Sequence, residues 1–441
     1  MMPMEMTCIV KVSKSTDRFK GMVKELSLHL MGNNRELHQY HHREPQFWKI
    51  TLGLTLASLY NFANLYMVQP LLPLYTREFG ISPTTSSLAL SLTTFSLIIS
   101  LLIFGFLSDR IGRIGIIHWT LFLSVIPLFL IPITESYIWL LIGRLISGIL
   151  IAGLPAVAVA YISEEIAPNS RGLAVSLYIA SNALGGMGGR VLGGAFAEHL
   201  SWQQGFLTLG AIGLVISVLC FLVIPKSQFF QQNHRSYKQD ILGMAIHLKK
   251  TKLLFAFIFG LLIQVGFSGV WVYIPFHVEK EPFSLSVQAI SLLFLTYLFG
   301  VVGSPIAGRL ADRFGLMRIM SMGLLVMTAG TLVTLGNHLF YVISGLSLIC
   351  LGFFIMHSLT STWVGNTATH HKSGATSLYL FSYYMGVTLG GTTLGVIWSN
   401  YGWLGVVVIC AILPLISGMI FFRMMVSDTK EARTLTENYE G

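Results

Sequence analysis

Charge is what this chain has least of. Asp, Glu, Lys and Arg make up 11% of its 441 residues, against 54% hydrophobic residues. A soluble domain carries about 25% charged residues, so a water-coated globule is excluded. The 19 acidic residues avoid the middles of the apolar stretches; Glu164, Glu165 and Glu198 come no closer than their ends. Paired intramembrane aspartates, an HExxH helix, a GxSxG elbow and a P-loop are all absent, which removes membrane hydrolysis and an ATP-driven pump on this chain. Cysteine is also rare. Cys220, Cys350 and Cys410 fall within apolar runs, where a thiol behaves as a small hydrophobe, and no disulfide framework is implied. Neither an enzyme nor a cofactor is expected.

What fills the chain instead is a series of apolar runs of about 20 residues, each long enough to cross roughly 30 Å of hydrocarbon as a helix. Twelve are counted. Six begin near Trp48, Thr84, Ile114, Tyr137, Gly172 and Trp202, and six near Leu253, Val287, Ile319, Leu339, Thr376 and Trp403. Continuous apolarity excludes barrel strands, which alternate polar and apolar residues. Trp48, Trp139, Trp202 and Trp403 lie near run ends, where interfacial aromatics belong. The predicted fold is an all-α membrane protein with twelve transmembrane helices in two six-helix, pseudo-symmetric bundles, 47–225 and 253–425. A basic tail (1–46), a polar central loop (226–252) and a C-terminal tail (426–441) complete the chain.

The few charges set the orientation. If successive runs alternate in direction, 24 of the 28 Lys and Arg fall on the side of the two tails, and only Arg77 and Lys280 on the other. Basic loops stay in the cytoplasm, so both termini are expected there, in a bacterial cytoplasmic membrane. The net charge of +9 is then topology. No nucleic-acid partner is implied, and a monomer in the lipid bilayer is expected. In the first tail, His38, His41 and His42 suit either a metal ion or plain solvation.

The halves are related. "SLYIASNALGGMGGRVLGGAFAEHLSW" (176–202) aligns with "SLYLFSYYMGVTLGGTTLGVIWSNYGW" (377–403) at a constant offset of 201, matching Ser176, Leu177, Tyr178, Ser181, Gly185, Gly189, Gly194 and Trp202 to their counterparts. "GFLSDRIGR" (105–113), after the second run, recurs as "GRLADRFGL" (308–316) after the eighth. Parallel six-helix repeats with a substrate near the midplane between them make up one transporter plan. Gly148, Ala152, Ala156 and Ala160 in the fourth run, and Gly185, Gly189 and Gly193 in the fifth, recur every four residues. Small residues in register let backbones approach closely, whether for rocking or for static packing.

Twelve runs, a long central loop and GFLSDRIGR between the second and third resemble the major facilitator superfamily, whose signature in that loop is G-x-L-[SA]-D-R-x-G-R. "NLYMVQPLLPLY" (64–75) and "YYMGVTLGGTTLGVIWSNYGWLGV" (383–406) resemble its proton-driven, twelve-span drug:H+ efflux branch and, within it, the YnfM-like inner-membrane transport proteins. The resemblance covers roughly residues 47–425. It implies a secondary active transporter of a small molecule, with the proton gradient as energy source. It also implies a conformational latch. Gly105 lets the second helix approach the eleventh, and Asp109 faces the positive end of that helix's dipole, an interaction of about 0.3 to 1 kcal/mol. Gly112 permits the turn, Arg110 and Arg113 stay cytoplasmic, and Gly308, Asp312 and Arg313 repeat the pattern with Leu316 in place of the final arginine. Charges that only fix topology are the alternative.

Two arginines lie inside runs. A mid-helix charge costs about 2.5 to 3.5 kcal/mol on insertion scales, so Arg144 in LIGRLISG and Arg190 in GGRVLGG need compensation. The resemblance associates the position of Arg144 with proton coupling, whereas GGRVLGG departs from the Gly-Pro pair frequent in efflux relatives. For either arginine the alternative is satisfaction by backbone carbonyls and water. Asn61, Asn64 and Gln69 stand where exporters of cations often carry an acid in the first helix. His357, in FIMHSLTSTW, is the one deep titratable group. It exchanges protons near neutrality or else sits neutral against a neighbouring helix. With two arginines at similar depth, neutral or acidic substrates are expected over cations. Proton-coupled efflux of a small organic molecule is the expected function. Import of a sugar or other metabolite, by symport or facilitation, and a sensor that binds without transport are the alternatives.

Overall fold

The computed structural model describes residues 38–133, 135–230, 232, 245–368 and 372–440. Residues 1–37 of the first tail, and 231 and 233–244 of the central loop, lie outside the described residues. The first half comprises α1 (Pro45–Tyr66), α2 (Pro83–Ile111), α3 (Arg113–Ile133), α4 (Tyr137–Glu165), α5 (Pro168–His199) and α6 (Trp202–Val223). The second comprises α7 (Thr251–Val278), α8 (Val287–Phe314), α9 (Leu316–Val333) and α10 (Leu339–Thr367). It ends in a helical stretch, Lys372–Glu440, broken at Gly402 (φ 59°) into α11 (372–401) and α12 (403–440). A 3-10 turn at Gln69–Leu71 and a short helix, Leu72–Phe79, link α1 to α2. No strand forms among the described residues.

Local sequence explains the boundaries. Proline occupies the first turn of α1, α2 and α5, where its missing N–H is no loss. Ser82, Ser201 and Ser286 cap α2, α6 and α8 by accepting from the backbone N–H three residues on. Gly112 (φ 102°) and Gly315 (φ 93°) make the turns from α2 to α3 and from α8 to α9, at a backbone angle that side chains resist. Ile138, Phe221 and Leu222 stand exposed on the outside of the bundle, the surface a bilayer covers.

The glycines matched by the sequence repeat, with Gly193 beside them, are points of closest packing. Gly185, Gly189 and Gly193 of α5 lie against the main chain of Leu59 and Ala63 of α1 and of Met67 at its end, so that a Cβ at any of them would overlap backbone atoms. In the second half Gly386 and Gly390 of α11 lie in the same way on Leu261 and Val265 of α7. The matched pair Gly194 and Gly395 instead joins the halves. Gly194 sits on Val287 and Ser291 of α8, and Gly395 on Thr84 of α2.

These crossings, α5 on α8 and α2 on α11, close the molecule at the end remote from the Gly112 and Gly315 turns, here termed the far end. Ser87 Oγ donates to Gly391 O across the same seam at 2.9 Å. At the opposite, motif end the halves part. A Cβ at Gly105 or Gly308 would meet nothing within 4 Å. The approach of Gly105 to α11 expected from the sequence is therefore not made in this conformation.

The glycine contacts predict a position-specific sensitivity. Gly189→Ala places a methyl group on the α1 main chain, an overpacking that costs about 1 to 3 kcal/mol, whereas the neighbouring Gly188 has open space. Thermal unfolding of the purified protein should show a lowered midpoint for Gly189→Ala and none for Gly188→Ala. Equal midpoints would contradict the packing described.

Candidate functional site

Both buried arginines are held, in different ways. Arg144 of α4 is 0% exposed. Its Nε donates to Ala89 O (3.3 Å), Nη1 to Asn64 O and Asn64 Oδ1 (3.0 Å each) and Nη2 to Leu65 O (2.7 Å). Every nitrogen of the guanidinium is thus occupied by α1 or α2. That is the backbone satisfaction a buried cation requires, and it ties three helices of the first half together. Asn61 belongs to the same packing, donating through Nδ2 to Ile151 O at 3.1 Å. The Asn61 Oδ1 and Asn64 Nδ2 atoms are buried without a protein partner.

Arg190 of α5 lies where the halves meet. Nε donates to Gln69 Oε1 (2.7 Å) and Nη1 to Gly186 O (2.9 Å). Gln69 Nε2 in turn donates to Trp271 O of α7 at 3.1 Å, so a chain of hydrogen bonds runs from α5 to the second half. Three rings surround the guanidinium carbon: Tyr66 of α1 at 3.9 Å, Tyr297 of α8 at 4.8 Å and Phe294 of α8 at 5.0 Å from their centroids. A cation over ring faces gains about 0.5 to 2 kcal/mol, most where water is excluded.

An aromatic path continues from this cage into the second half. Tyr297 packs on Phe267 (5.5 Å), Phe267 on Phe353 (3.9 Å), Phe353 on His357 (5.7 Å) and His357 on Tyr383 (4.5 Å between centroids). His357 Nδ1 is 3.0 Å from the Tyr379 hydroxyl of α11. The structure therefore brings Gln69, Arg190 and His357 onto one path between the halves, and leaves Asn61, Asn64 and Arg144 inside the first half. The expectation that the two arginines act together on a substrate needs correcting, since Arg144 has no exposed surface and points at α1 and α2. Sequence reasoning missed Tyr66, Phe294 and Tyr297. Their only signal was position: Tyr66 lies three residues before Gln69, and Phe294 and Tyr297 are one helical turn apart.

The motif end is organised by Arg113. It bonds Asp109 Oδ1 (2.5 Å), Ser108 Oγ (2.6 Å) and, with two nitrogens, Glu164 Oε1 of α4 (2.8 and 3.0 Å). Arg110 Nη1 donates to Phe106 O at 2.7 Å. In this conformation the partner of Asp109 is thus its own half rather than α11. Leu316 holds the equivalent place in the second copy, and among the described residues Asp312 makes no ion pair; Arg313 lies over the Phe314 ring. Glu165 accepts from the backbone of Gln228 and Phe229, and Tyr40 bridges to Ile166, so residues of the first tail and of the central loop are stitched to the end of α4. His38 meets Glu44 and His42 meets Ser170.

At the far end, Arg77 after α1 pairs with Glu279 after α7. The two positions are separated by 202 residues, the same spacing that relates Leu59 to Leu261, so equivalent corners of the two halves carry opposite charges and meet. A separate recess of about 700 Å³ on the outer face of α8 and α10 is lined by Leu292, Leu295, Phe299, Val302, Leu339 and Ile343, and offers no polar chemistry.

A family model described as Major Facilitator Superfamily matches residues 54–295 and 256–439. The chain is 39% identical over 385 residues to the uncharacterized MFS-type transporter YybF of Bacillus subtilis (strain 168), covering 87% of this chain and 92% of that protein. It is 37% identical over 380 residues to the inner membrane transport protein YnfM of Escherichia coli (strain K12), covering 86% and 91%. Among solved structures, a bacterial homolog to the human lysosomal transporter Spinster, in an inward-facing and occupied conformation, superposes with a TM-score of 0.71 at 16% identity, over 86% of this chain and 97% of that one.

The Arg77–Glu279 pair should bias closure of the far end. Arg77 is 53% exposed, and exposed pairs contribute about 0 to 1 kcal/mol, so the expected effect of Arg77→Glu is an up to roughly fivefold shift in population, larger at low salt. A cysteine in place of Ser291, buried beneath Gly194, reports it: maleimide labelling should quicken in Arg77→Glu and slow again when Glu279→Arg is added. Labelling indifferent to both changes would remove the pair from the closure.

Proposed function

This chain belongs to the major facilitator superfamily and is a multi-pass membrane transporter rather than an enzyme, and we propose that it is a proton-coupled exporter of small neutral or acidic organic molecules working by alternating access. One-sided closure carries the proposal. Gly194 lies on Ser291 and Gly395 on Thr84 at the far end, while Gly105 and Gly308 look into open space at the motif end. Two rigid repeats rocking about a site between them expose that site to one side at a time. The surplus of Lys and Arg on the motif side supports a cytoplasmic location for that end and for both tails. The conformation described is then inward-facing.

Outward opening reverses the seam. Gly105 comes onto α11 and Asp109 within reach of its N-terminal dipole, with Gly308, Asp312 and Arg313 making the weaker counterpart on α5. Arg113 holds Asp109 in place for this through its bonds to Asp109 and Glu164. Proton coupling needs a group that gains a proton on one side and loses it on the other. His357 is the deep side chain suited to it, with Tyr379 as hydrogen-bond partner and Tyr383 against its ring. Export is preferred over import because residues 64–75 and 383–406 resemble the efflux branch. Symport runs the same cycle with substrate and proton moving together, and the direction of flux separates the two.

Proteoliposomes with a trapped pH dye test the coupling. A pH gradient should drive substrate accumulation and substrate should move protons in the opposite sense. In His357→Gln, transport should lose its dependence on pH between about 5.5 and 8, the histidine range, while binding persists. An unchanged profile in the mutant transfers the proton to Asp109, Glu164, Glu165 or Glu198. Binding without any flux would make the protein a sensor.

A further inference from the structure

The two buried arginines differ in one respect. Arg144 has an acceptor for each of its three nitrogens, all supplied by the protein. Arg190 is almost as buried, 4% exposed, but its Nη2 has no protein acceptor among the described residues; only Nε and Nη1 are engaged. Nor does any carboxylate pair with it among the described residues. A buried guanidinium without a counter-ion is costly, and no acidic residue lies in the middle of an apolar run to supply one.

We propose that Arg190 is the carboxylate-binding group of the transport site, and that the rings of Tyr66, Phe294 and Tyr297 select small organic acids with a flat aromatic or conjugated body. The proposal rests on the transporter reading above and adds the substrate class. Chemistry and geometry converge on it. A guanidinium presents a planar fork matched to a carboxylate, and here one prong of that fork is unused. The three rings lie at 3.9, 4.8 and 5.0 Å from the guanidinium carbon. They wall the same site with faces on which a planar group stacks, aromatic pairs being favoured at centroid separations of about 4.5 to 7 Å. Tyr66 is only partly buried, which leaves the cage open on its side.

The site is also placed to act on the seam. Tyr66 and Gln69 belong to the first half, Phe294, Tyr297 and Trp271 to the second, and Arg190 touches all of them but Trp271, which it reaches through Gln69 by two hydrogen bonds. A ligand stacked between Arg190 and the rings of Phe294 and Tyr297 displaces the cation–ring contacts that join the halves at this point. Binding there is coupled to loosening of the far-end closure, as a transported substrate requires.

Equilibrium binding to the purified full chain in nanodiscs tests this, using radiolabelled phenylacetate and indole-3-acetate with their uncharged amides as competitors. Both acids are expected to bind at least about tenfold tighter than phenylacetamide and indole-3-acetamide, and acetate, which lacks a ring, to bind more weakly than either acid. Arg190→Lys, which keeps the charge but not the fork, should bind the acids weakly, and Arg190→Gln should lose the acid-over-amide preference. Tyr66→Leu should weaken acid and amide in parallel, and it keeps the test open if the Arg190 variants fail to fold. Amides that compete as well as acids, acids that bind Arg190→Gln as tightly as the wild type, or no acid binding up to about 10 mM would each overturn the assignment. In the wild type, no acid preference with gradient-driven proton movement intact refutes this site and spares the transporter reading. Acid preference without proton movement upholds the site and refutes the coupling.

Discussion

Main chain lying directly on main chain, with glycine at the contact, fixes everything else in this protein. Lipid tails are as apolar as leucine, so helices in a bilayer gain little from burying hydrocarbon and must associate through close packing and hydrogen bonds. Gly185, Gly189 and Gly193 let α5 touch the backbone of α1, and Gly386 and Gly390 do the same for α11 on α7. Each half becomes a rigid body whose inner helices cannot slide past one another without a clash. The second set, Gly194 and Gly395, brings glycine against small hydroxyl side chains, Ser291 and Thr84, between the halves. There it is confined to one end, so it closes a seam without welding it.

Polar groups are then distributed by what each interface must do. Arg144 ties α4 to α1 and α2 with every nitrogen engaged, as a permanent joint within a half should be. Across the seam the polar contacts are single and replaceable, such as the bonds from Gln69 to Trp271 and from Ser87 to Gly391, and the ion pair at Arg77 and Glu279. The Arg113 cluster with Asp109 and Glu164 stiffens the motif end of the first half. Leu316 denies the second half the same cluster, so the two ends of the pseudo-dyad are unequal by sequence.

Twelve helices, two halves and the repeat were legible because membrane spans are continuous apolar runs and because the matched glycines recur at one offset. The two spans least marked by apolarity, α1 and α5, pack on each other and supply Tyr66 and Arg190 to the site. Their polar and glycine residues face other helices, which lowers the very signal that identifies a span. What sequence could not separate was Arg144 from Arg190, equal in type and similar in depth. Their difference lies in which neighbours stand around them, and those neighbours come from positions up to 124 residues away. Pairings such as Gln69 with Trp271, 202 residues apart, are likewise products of the tertiary fold. Asp109 was assigned a partner on α11, and its partner here is Arg113, because the halves have parted at that end.

Alternation between two closed ends is the central claim, and spin-label distances at both ends test it most directly. Ile111 and Phe314 are exposed at the motif ends of α2 and α8, and Leu200 and Phe340 are exposed at the far end, one in each half. Double electron–electron resonance on the two labelled pairs, in the same lipid and across pH, gives the fraction of molecules with each end open. Alternating access predicts that the fraction open at the motif end equals the fraction closed at the far end in every condition, with the motif-open, far-closed arrangement present without ligand. Distances at the two ends that vary independently, or widen together, would contradict it.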